Sequence, residues 1–482
     1  MKSNKPFIHL FETCQGNYIY DVNTNAILKV DKSFYELIKS KLESDNFNLN
    51  EEAKKTMNEL IDIGYLSANK PSIIEHGTNE VLPYYLENAI NFITLQITQQ
   101  CNLRCDYCTY SGKYTGNRTH DNKHMSLDTA KKAIDFLIKH SRSTNDINIG
   151  FYGGEPLLRI DFIKECIEYA KEMAEGKKVS FSMTTNATLL NDEAIKLLYE
   201  NNVTLLISID GPKEVHDKNR RFAHNGQGSF DKIIENINKI KSTYPEYFKH
   251  YLTFNAVLDG HEDFNCINEF FTNYDAIKEL YARASVVNST YDVNAYNPDE
   301  AFDEQIEYET FKMYLAKLGK IEKQYTSRLL DNMFDNEIEM FLLQKESYKS
   351  FPEKCHPGGP CIPGVARLFV NYLGDFLPCE KVNERSEVMK IGDIYNGFNI
   401  EKIKNILNVG KTTEEKCKNC WAFKECFLCA AHSDDNERLS SEKRISKCEI
   451  VKQVVEDKFK KICTLYEFGY KFKKEEIIKQ IG

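Results

Sequence analysis

Ile93-Thr94-Leu95-Gln96-Ile97-Thr98-Gln99-Gln100-Cys101-Asn102-Leu103-Arg104-Cys105-Asp106-Tyr107-Cys108 is an alternating apolar strand that runs straight into a cysteine loop. Its C-x3-C-x2-C spacing brings three thiolates within reach of one centre and supplies no fourth. Cysteine sites that close around zinc usually come as paired C-x2-C knuckles with four ligands. An iron–sulfur cube held by three thiolates keeps one iron open to a substrate or cofactor. Three structural cysteines in a loop, or one part of a zinc site, compete for the same residues.

Composition narrows the setting. At 482 residues the chain exceeds one typical core, and two or three domains are expected. A hydrophobic fraction of 41% with 28% charged residues describes an ordinary globular protein. No apolar run reaches the length of a membrane span, and the start Met1-Lys2-Ser3-Asn4-Lys5-Pro6 lacks a signal peptide's apolar segment; a cytoplasmic protein without a membrane partner is expected. A formal charge of -9 with no concentrated basic stretch argues against nucleic acid as the main partner. Fifteen cysteines in a cytosolic chain stay reduced, and eight of them lie between Cys355 and Cys448, a clustering that points to metal ligation.

Residues 1–80 read as a small unit. β-like runs Phe7–Phe11, Asn17–Asp21 and Ala26–Val30 are followed by helical patterns at Lys32–Leu42 and Asn50–Ile63, the second carrying Met57, Leu60 and Ile61 at helical spacing. Three strands and then helices outline a winged helix. Pro71 to about Asn88 reads as a linker. Strands then alternate with helices: Phe92–Thr98, Ile147–Phe151, Val179–Thr185, Thr204–Ile209, Tyr251–Leu258 and Glu279–Val287, with a helix from Ser126 to Ser141. Six such repeats over 90–288 imply a parallel, partly closed α/β barrel. Residues 289–350 read as an acidic helical bridge, and 351–482 as a cysteine-rich domain.

In such barrels chemistry sits at the carboxyl ends of the strands. The second strand ends Tyr152-Gly153-Gly154-Glu155-Pro156, where glycines let a ligand approach the backbone and a carboxylate can accept from an ammonium. The third ends at Thr185-Asn186-Ala187, the fourth at Ser208-Ile209-Asp210 with Arg220 and Arg221 beyond, and the fifth at Val257-Leu258.

Cys101, Cys105, Tyr107 and Cys108 match C-x3-C-x-aromatic-C and resemble the signature of the radical S-adenosylmethionine (SAM) enzymes, whose fold is a partial (β/α)6 barrel. The resemblance implies that Cys101, Cys105 and Cys108 hold a [4Fe-4S] cluster with one open iron. It places SAM against Tyr107, the Tyr152-Gly153-Gly154-Glu155 segment, Asn186, Ser208 and Arg220, with Val257 and Leu258 against the adenine; Arg221 competes with Arg220 for the SAM carboxylate. Reductive cleavage of SAM would then give a 5′-deoxyadenosyl radical that takes a hydrogen from a peptide carbon.

The later cysteines run Cys355-x5-Cys361, Cys379, Cys417-x2-Cys420-x5-Cys426-x2-Cys429 and Cys448. This resembles the SPASM extension of peptide-maturing radical SAM enzymes. It implies a first auxiliary [4Fe-4S] cluster on Cys355, Cys361, Cys379 and Cys429, and a second on Cys417, Cys420, Cys426 and Cys448, three clusters in all. The two-residue spacing Phe427-Leu428 is one shorter than the family's pattern. A pair of zinc sites would use the same eight ligands. Cys166 and Cys463 sit on apolar helical stripes and read as core, while Cys14 and Cys266 have no motif around them.

With the amino-terminal unit read as a winged-helix precursor-recognition domain, the layout resembles maturases of ribosomally made Cys-rich peptides of the ranthipeptide type. Tyr110–Tyr114 and Asn117–His120 are similar to the same group. The implied activity is formation of sulfur-to-carbon thioether crosslinks in a precursor peptide held by its leader, with electrons from a carrier such as flavodoxin or ferredoxin. Glu380 aligns with an Asp base of sulfatase-maturing relatives and is the candidate catalytic base, an exposed surface carboxylate being the alternative. Carbon–carbon crosslinking, epimerisation or oxidation of a sulfatase Cys or Ser are the other radical outcomes.

Overall fold

In the computed structural model, residues 5–43, 51–114, 117–287, 297–345, 351–472 and 478–480 are described. The chain begins with an antiparallel meander, β1 (Ile8–Glu12), β2 (Asn17–Asp21) and β3 (Ala26–Val30). Its second turn is tight enough to hold Asn25 at φ 55°, and the Asn25 Oδ1 accepts from the Tyr20 hydroxyl at 2.6 Å. Helices α1 (Lys32–Glu43) and α2 (Glu51–Asp62) cover one face of the sheet, where Phe34, Tyr35, Ile38 and Leu60 pack on Ile19 and Leu28. Ile61, expected on the buried stripe with Leu60, is instead 43% exposed.

The opposite face carries Phe11, Tyr18, Tyr20 and Ile27, which share a core with Phe341, Phe459, Ile462 and Cys463 from the carboxyl-terminal half. The amino-terminal sheet is therefore apolar on both faces, and one face is covered by the carboxyl-terminal half. The expected linker is also ordered: it contains β4 (Ile73–Ile74) and a helix, Leu82–Asn88, whose Leu82 and Leu86 join the main core.

The main body contains β5 (Phe92–Thr98), β6 (Leu103–Cys105), β7 (Asp146–Gly153), β8 (Lys178–Thr185), β9 (Thr204–Ser208), β10 (Arg220–Phe222), β11 (Leu252–Leu258) and β12 (Ala282–Val286). Six of these form a parallel sheet in the order β5-β7-β8-β9-β11-β12, while β6 and β10 pair as an antiparallel ribbon. Helices fill the crossovers and bury their apolar stripes against the sheet. The helix Leu127–Lys139 starts at Ser126, whose Oγ accepts from the Thr129 amide at 3.0 Å, and buries Ala130, Ala133, Ile134, Leu137 and Ile138. Replacing Ser126 with Ala removes this cap and is expected to cost about 1 kcal/mol, read as a lowered urea midpoint with an unchanged slope.

Past the barrel, the helices Glu300–Lys317 and Arg328–Lys345 bridge both cores, Leu329 and Leu330 lying in the main one and Phe334, Ile338 and Phe341 in the second. The flanking parts of the expected bridge, 288–296 and 346–350, lie outside the described residues. β13 (Lys354–Cys355) pairs with β4. β14 (Leu368–Val370) lies parallel to β5 on the barrel's free edge, and β15 (Asp375–Leu377), β16 (Gly392–Asp393) and β17 (Gly397–Phe398) extend the sheet to ten strands. The helix Cys448–Glu467 follows, and β18 (Ile478–Gln480) returns to pair with β3. Among the described residues no helix is long and apolar enough to cross a membrane.

Candidate functional site

A cavity of about 630 Å³ lies inside the curved sheet and opens beside the cysteine loop. It is lined by Cys101, Cys105 and Cys108, by Tyr107, by Tyr152-Gly153-Gly154-Glu155, and by Asn186, Ser208 and Arg220. Each expected cofactor contact on this side of the barrel therefore faces one space, with Leu258 as the exception. Leu258 is buried in the core, while its expected companion Val257 lines the cavity. The reason is the two-residue period of a strand: Asn255 and Val257 point inward, so Leu258 points to the helices.

The glycines are required by the fold itself. A Cβ on Gly153 would stand 2.1 Å from the Thr98 carbonyl oxygen, and one on Gly154 would stand 2.2 Å from that of Gln100. The Gly154 amide donates to the Thr98 carbonyl and the Glu155 amide to the Gln100 carbonyl, each at 2.9 Å. What approaches these glycines is thus the backbone that carries Cys101.

The Glu155 Oε1 accepts from the Leu157 amide at 3.0 Å and the Thr185 hydroxyl at 2.7 Å, and its Oε2 accepts from the Asn186 amide at 2.7 Å. Burial pushes this carboxyl up to about 7 against those three donors. Three of about four acceptor positions are used, so one remains for a cationic donor in the cavity. Asn186 in turn reaches Asn102 Oδ1 at 2.9 Å, tying the third strand end to the cysteine loop.

Arg220 and Arg221 face different surroundings. Arg220 lines the cavity, whereas the Arg221 Nε donates outside it to the Lys218 carbonyl. Arg220 grips Asp210 through two hydrogen bonds, Nε to Oδ2 at 2.7 Å and Nη2 to Oδ1 at 3.1 Å. Asp210 also accepts from the Tyr107 hydroxyl and, at 3.0 Å, from the Val257 amide. Burial pushes the Asp210 carboxyl up, but the Arg220 charge outweighs it and holds the pKa below the usual value. One carboxylate thereby joins the cysteine loop, β11 and the ribbon strand β10. Its importance was not legible in the sequence, because nothing in Ser208-Ile209-Asp210 says that the Asp is buried.

Behind it, His216 is fully buried, with its ring bonded to the Asp210 amide at 3.3 Å and to the Ser229 hydroxyl at 3.0 Å. Burial lowers its pKa to about 3, so it is neutral in the fold. An unfolded chain binds this proton below about pH 6.5 and the native one does not, so the contribution is intact above pH 6.5 and is lost as pH falls toward 3, by up to about 1.4 kcal/mol per pH unit. Denaturation midpoints measured from pH 7.5 to 5 should fall more steeply for the natural chain than for His216→Asn.

Burial takes the Cys101 thiol up to about 12, and Cys108 raises the thiols of Cys101 and Cys105 further. All three cysteines line the cavity, and a bound cationic centre would reverse the burial penalty by deprotonating them. The carboxyl-terminal cysteines divide unevenly. Cys417, Cys420, Cys426 and Cys448 are electrostatic neighbours. Cys361, Cys379 and Cys429 form a second neighbourhood. Cys355 is buried in the core that also holds Ile74, Phe351 and Cys417, with Lys424 as its charged neighbour.

Glu380 lines the cavity and is not an exposed surface carboxylate; its Oε1 accepts from Arg367 Nη1 at 2.5 Å. Arg118 is buried nearby, its Nη2 donating to the Glu380 and Val382 carbonyls at 3.0 Å and its Nε lying 3.3 Å from Glu384. The segment after the cysteine loop is thus pinned to the Glu380 turn. Sequence reading missed Arg367, Asn255 and Arg283 in this lining. The alternation of β11 signals Asn255, while Arg367 comes into place only because β14 adds to β5.

Residues 95–272 match the Radical SAM superfamily profile. A cysteine-type anaerobic sulfatase-maturating enzyme of Clostridium novyi is 28% identical over 350 residues, covering 70% of this chain and 87% of its own length. A radical SAM cyclopropyl synthase of Paramaledivibacter caminithermalis is 26% identical over 276 residues, 52% of this chain and 56% of that one. Among solved structures, native anSMEcpe with bound AdoMet superposes with a TM-score of 0.58 at 20% identity, covering 78% of this chain and 98% of that one. Three thiols at a strand end, a cavity running up the barrel and these likenesses agree: the chain carries a radical SAM domain and has anaerobic sulfatase-maturating enzymes among its homologues.

Proposed function

We propose that the protein is a radical SAM peptide maturase that installs sulfur-to-carbon thioether crosslinks in a Cys-rich ribosomally made precursor. The observation that carries the reading is the convergence of the three loop cysteines and four strand ends on one cavity whose rim holds Glu380. Cys101, Cys105 and Cys108 would hold the cluster. Glu155, Asn186, Ser208 and Arg220 would hold SAM. When bound, this pair supplies a 5′-deoxyadenosyl radical able to take hydrogen from an unactivated carbon. Glu380, whose carboxylate accepts from Arg367, would take the proton of a substrate thiol. A thioether replaces one S–H and one C–H, so the peptide loses two hydrogens per bond. The auxiliary cysteines would hold the clusters that receive the electron released. The amino-terminal sheet would hold the leader by strand addition. About a fifth of this chain has no counterpart in the anSMEcpe structure, which supports a feature beyond a minimal maturase.

The likeness to sulfatase-maturating enzymes over 87% of the Clostridium novyi chain favours a second reading, oxidation of a sulfatase Cys. Both are tested by anaerobic reaction of the iron-reconstituted protein with SAM, reductant and a Cys-rich peptide encoded beside it, followed by fragment mass spectrometry. Loss of two hydrogens with alkylation-resistant cysteines and a located sulfur–carbon link supports the thioether. A modified sulfatase-derived Cys peptide with the Cys-rich peptide unchanged replaces it with the second reading.

A further inference from the structure

The amino-terminal sheet has the order β1-β2-β3-β18, so one of its edges is filled by residues from the far end of the chain. β18 runs parallel to β3, with Ile478 opposite Ile27, Lys479 opposite Leu28 and Gln480 opposite Lys29. It is three residues long against five for β3. Its side chains alternate as a bound peptide's would. Ile478 is 7% exposed and enters the core with Phe7, Tyr18 and Ile27. Lys479 turns to the other face, its ammonium 5.5 Å from the centre of the Tyr65 ring. Gln480 is exposed.

The other edge strand is held differently. On β1, His9 stacks on Trp421 at 3.6 Å between ring centres and bonds to Glu456 at 2.7 Å. Thr13 and Tyr18, at the β1–β2 turn, both donate to Glu467. Those contacts come from the last long helix and its neighbours, which form part of a core. Over its described residues β18 makes only three pairings, and a short edge strand gives up few ladder hydrogen bonds when another strand takes its place.

We infer that the β3 edge is a strand-acceptor site for an extended peptide with an apolar residue followed by a cation, and that residues 478–480 are its resident occupant, which the incoming peptide displaces. The inference rests on the peptide-processing reading above and adds to it a built-in competitor at that edge and the side-chain preference the competitor reveals. An occupant tethered in the same chain acts at high effective concentration, so it weakens every peptide that competes for the edge by one common factor. Peptides that pair too weakly are thereby refused.

The probe is a fluorescein-labelled peptide with the chain's own sequence Glu475-Glu476-Ile477-Ile478-Lys479-Gln480-Ile481-Gly482. Its affinity is measured by anisotropy on the full chain and on full chains carrying Ile478→Asp or the milder Ile478→Ala, each of which weakens the resident strand. The expected result is binding at least about tenfold tighter to Ile478→Asp than to the natural chain, with Ile478→Ala between them. A peptide with Asp at its own Ile478 position should lose binding to all three. Hydrogen exchange at the amides of 26–30 should slow in Ile478→Asp when the peptide is added, which also shows that the variant is folded. Equal affinity for all three chains, or no binding to any, overturns the inference. Deoxyadenosine release from SAM without peptide reports on the barrel alone. Edge binding with no crosslinked product would sink the proposed function and leave this inference standing.

Discussion

Asp210→Ala is expected to lose about 3–5 kcal/mol of stability, the cost of leaving one member of a buried ion pair without its partner. Arg220 and Asp210 are each less than one-tenth exposed, and Arg220 would face the cavity with an uncompensated charge. The Tyr107 hydroxyl and the Val257 amide would lose their acceptor in the same step. The loss should appear as a lowered guanidinium midpoint. Pairing the change with Arg220→Met should recover part of it, because the stranded charge is then gone. A drop below about 1 kcal/mol for the single variant would show that water reaches the pair and that this account of it is wrong. The ring of Tyr107, 5.4 Å from the Arg220 guanidinium, lies within the cysteine loop, so iron retention after reconstitution should fall with stability.

Gly154→Ala is the second. Its Cβ would meet the Gln100 carbonyl oxygen at 2.2 Å and the Cys101 amide nitrogen at 3.0 Å, both backbone, with no flexible side chain to yield. Overpacking of this kind costs about 1–3 kcal/mol. Its larger consequence is displacement of Cys101 from Cys105 and Cys108. A shift near 1 Å at a reacting centre lowers rate by about a hundredfold, so deoxyadenosine formation should fall far more than the denaturation midpoint suggests. Gly176→Ala provides the contrast. Gly176, unlike Gly154, has a positive φ, of 84°, but no atom lies within 4 Å of its Cβ position, so only the backbone strain of about 1–2 kcal/mol applies and deoxyadenosine yield per folded chain should be unchanged. Equal yields from Gly154→Ala and the natural chain would remove the glycine pair from the positioning of the loop.

Both positions show where reading the sequence stops. Gly153, Gly154, Glu155 and Arg220 were picked out from motif and spacing, and the structure gathers them around one cavity. The contacts they make belong to the fold: the glycines pack on the loop before Cys101, and Arg220 on an aspartate ten residues upstream. Of the pair Val257 and Leu258 only Val257 lines the cavity, because in a strand one residue reverses the face.

Local sequence alone determined the strands and helices of the barrel to within a few residues and the loop that gathers Cys101, Cys105 and Cys108, because alternation, caps and ligand spacing act over short separations. The tertiary structure decided the rest. It merged the amino-terminal sheet with the carboxyl-terminal core, added β14 to β5 so that Arg367 and Glu380 meet the cavity, and sent residues 478–480 back to β3. Each of these joins segments tens to hundreds of residues apart. Such pairings are chosen by which apolar faces and strand edges remain uncovered once the local elements exist, and no short window of sequence contains that information.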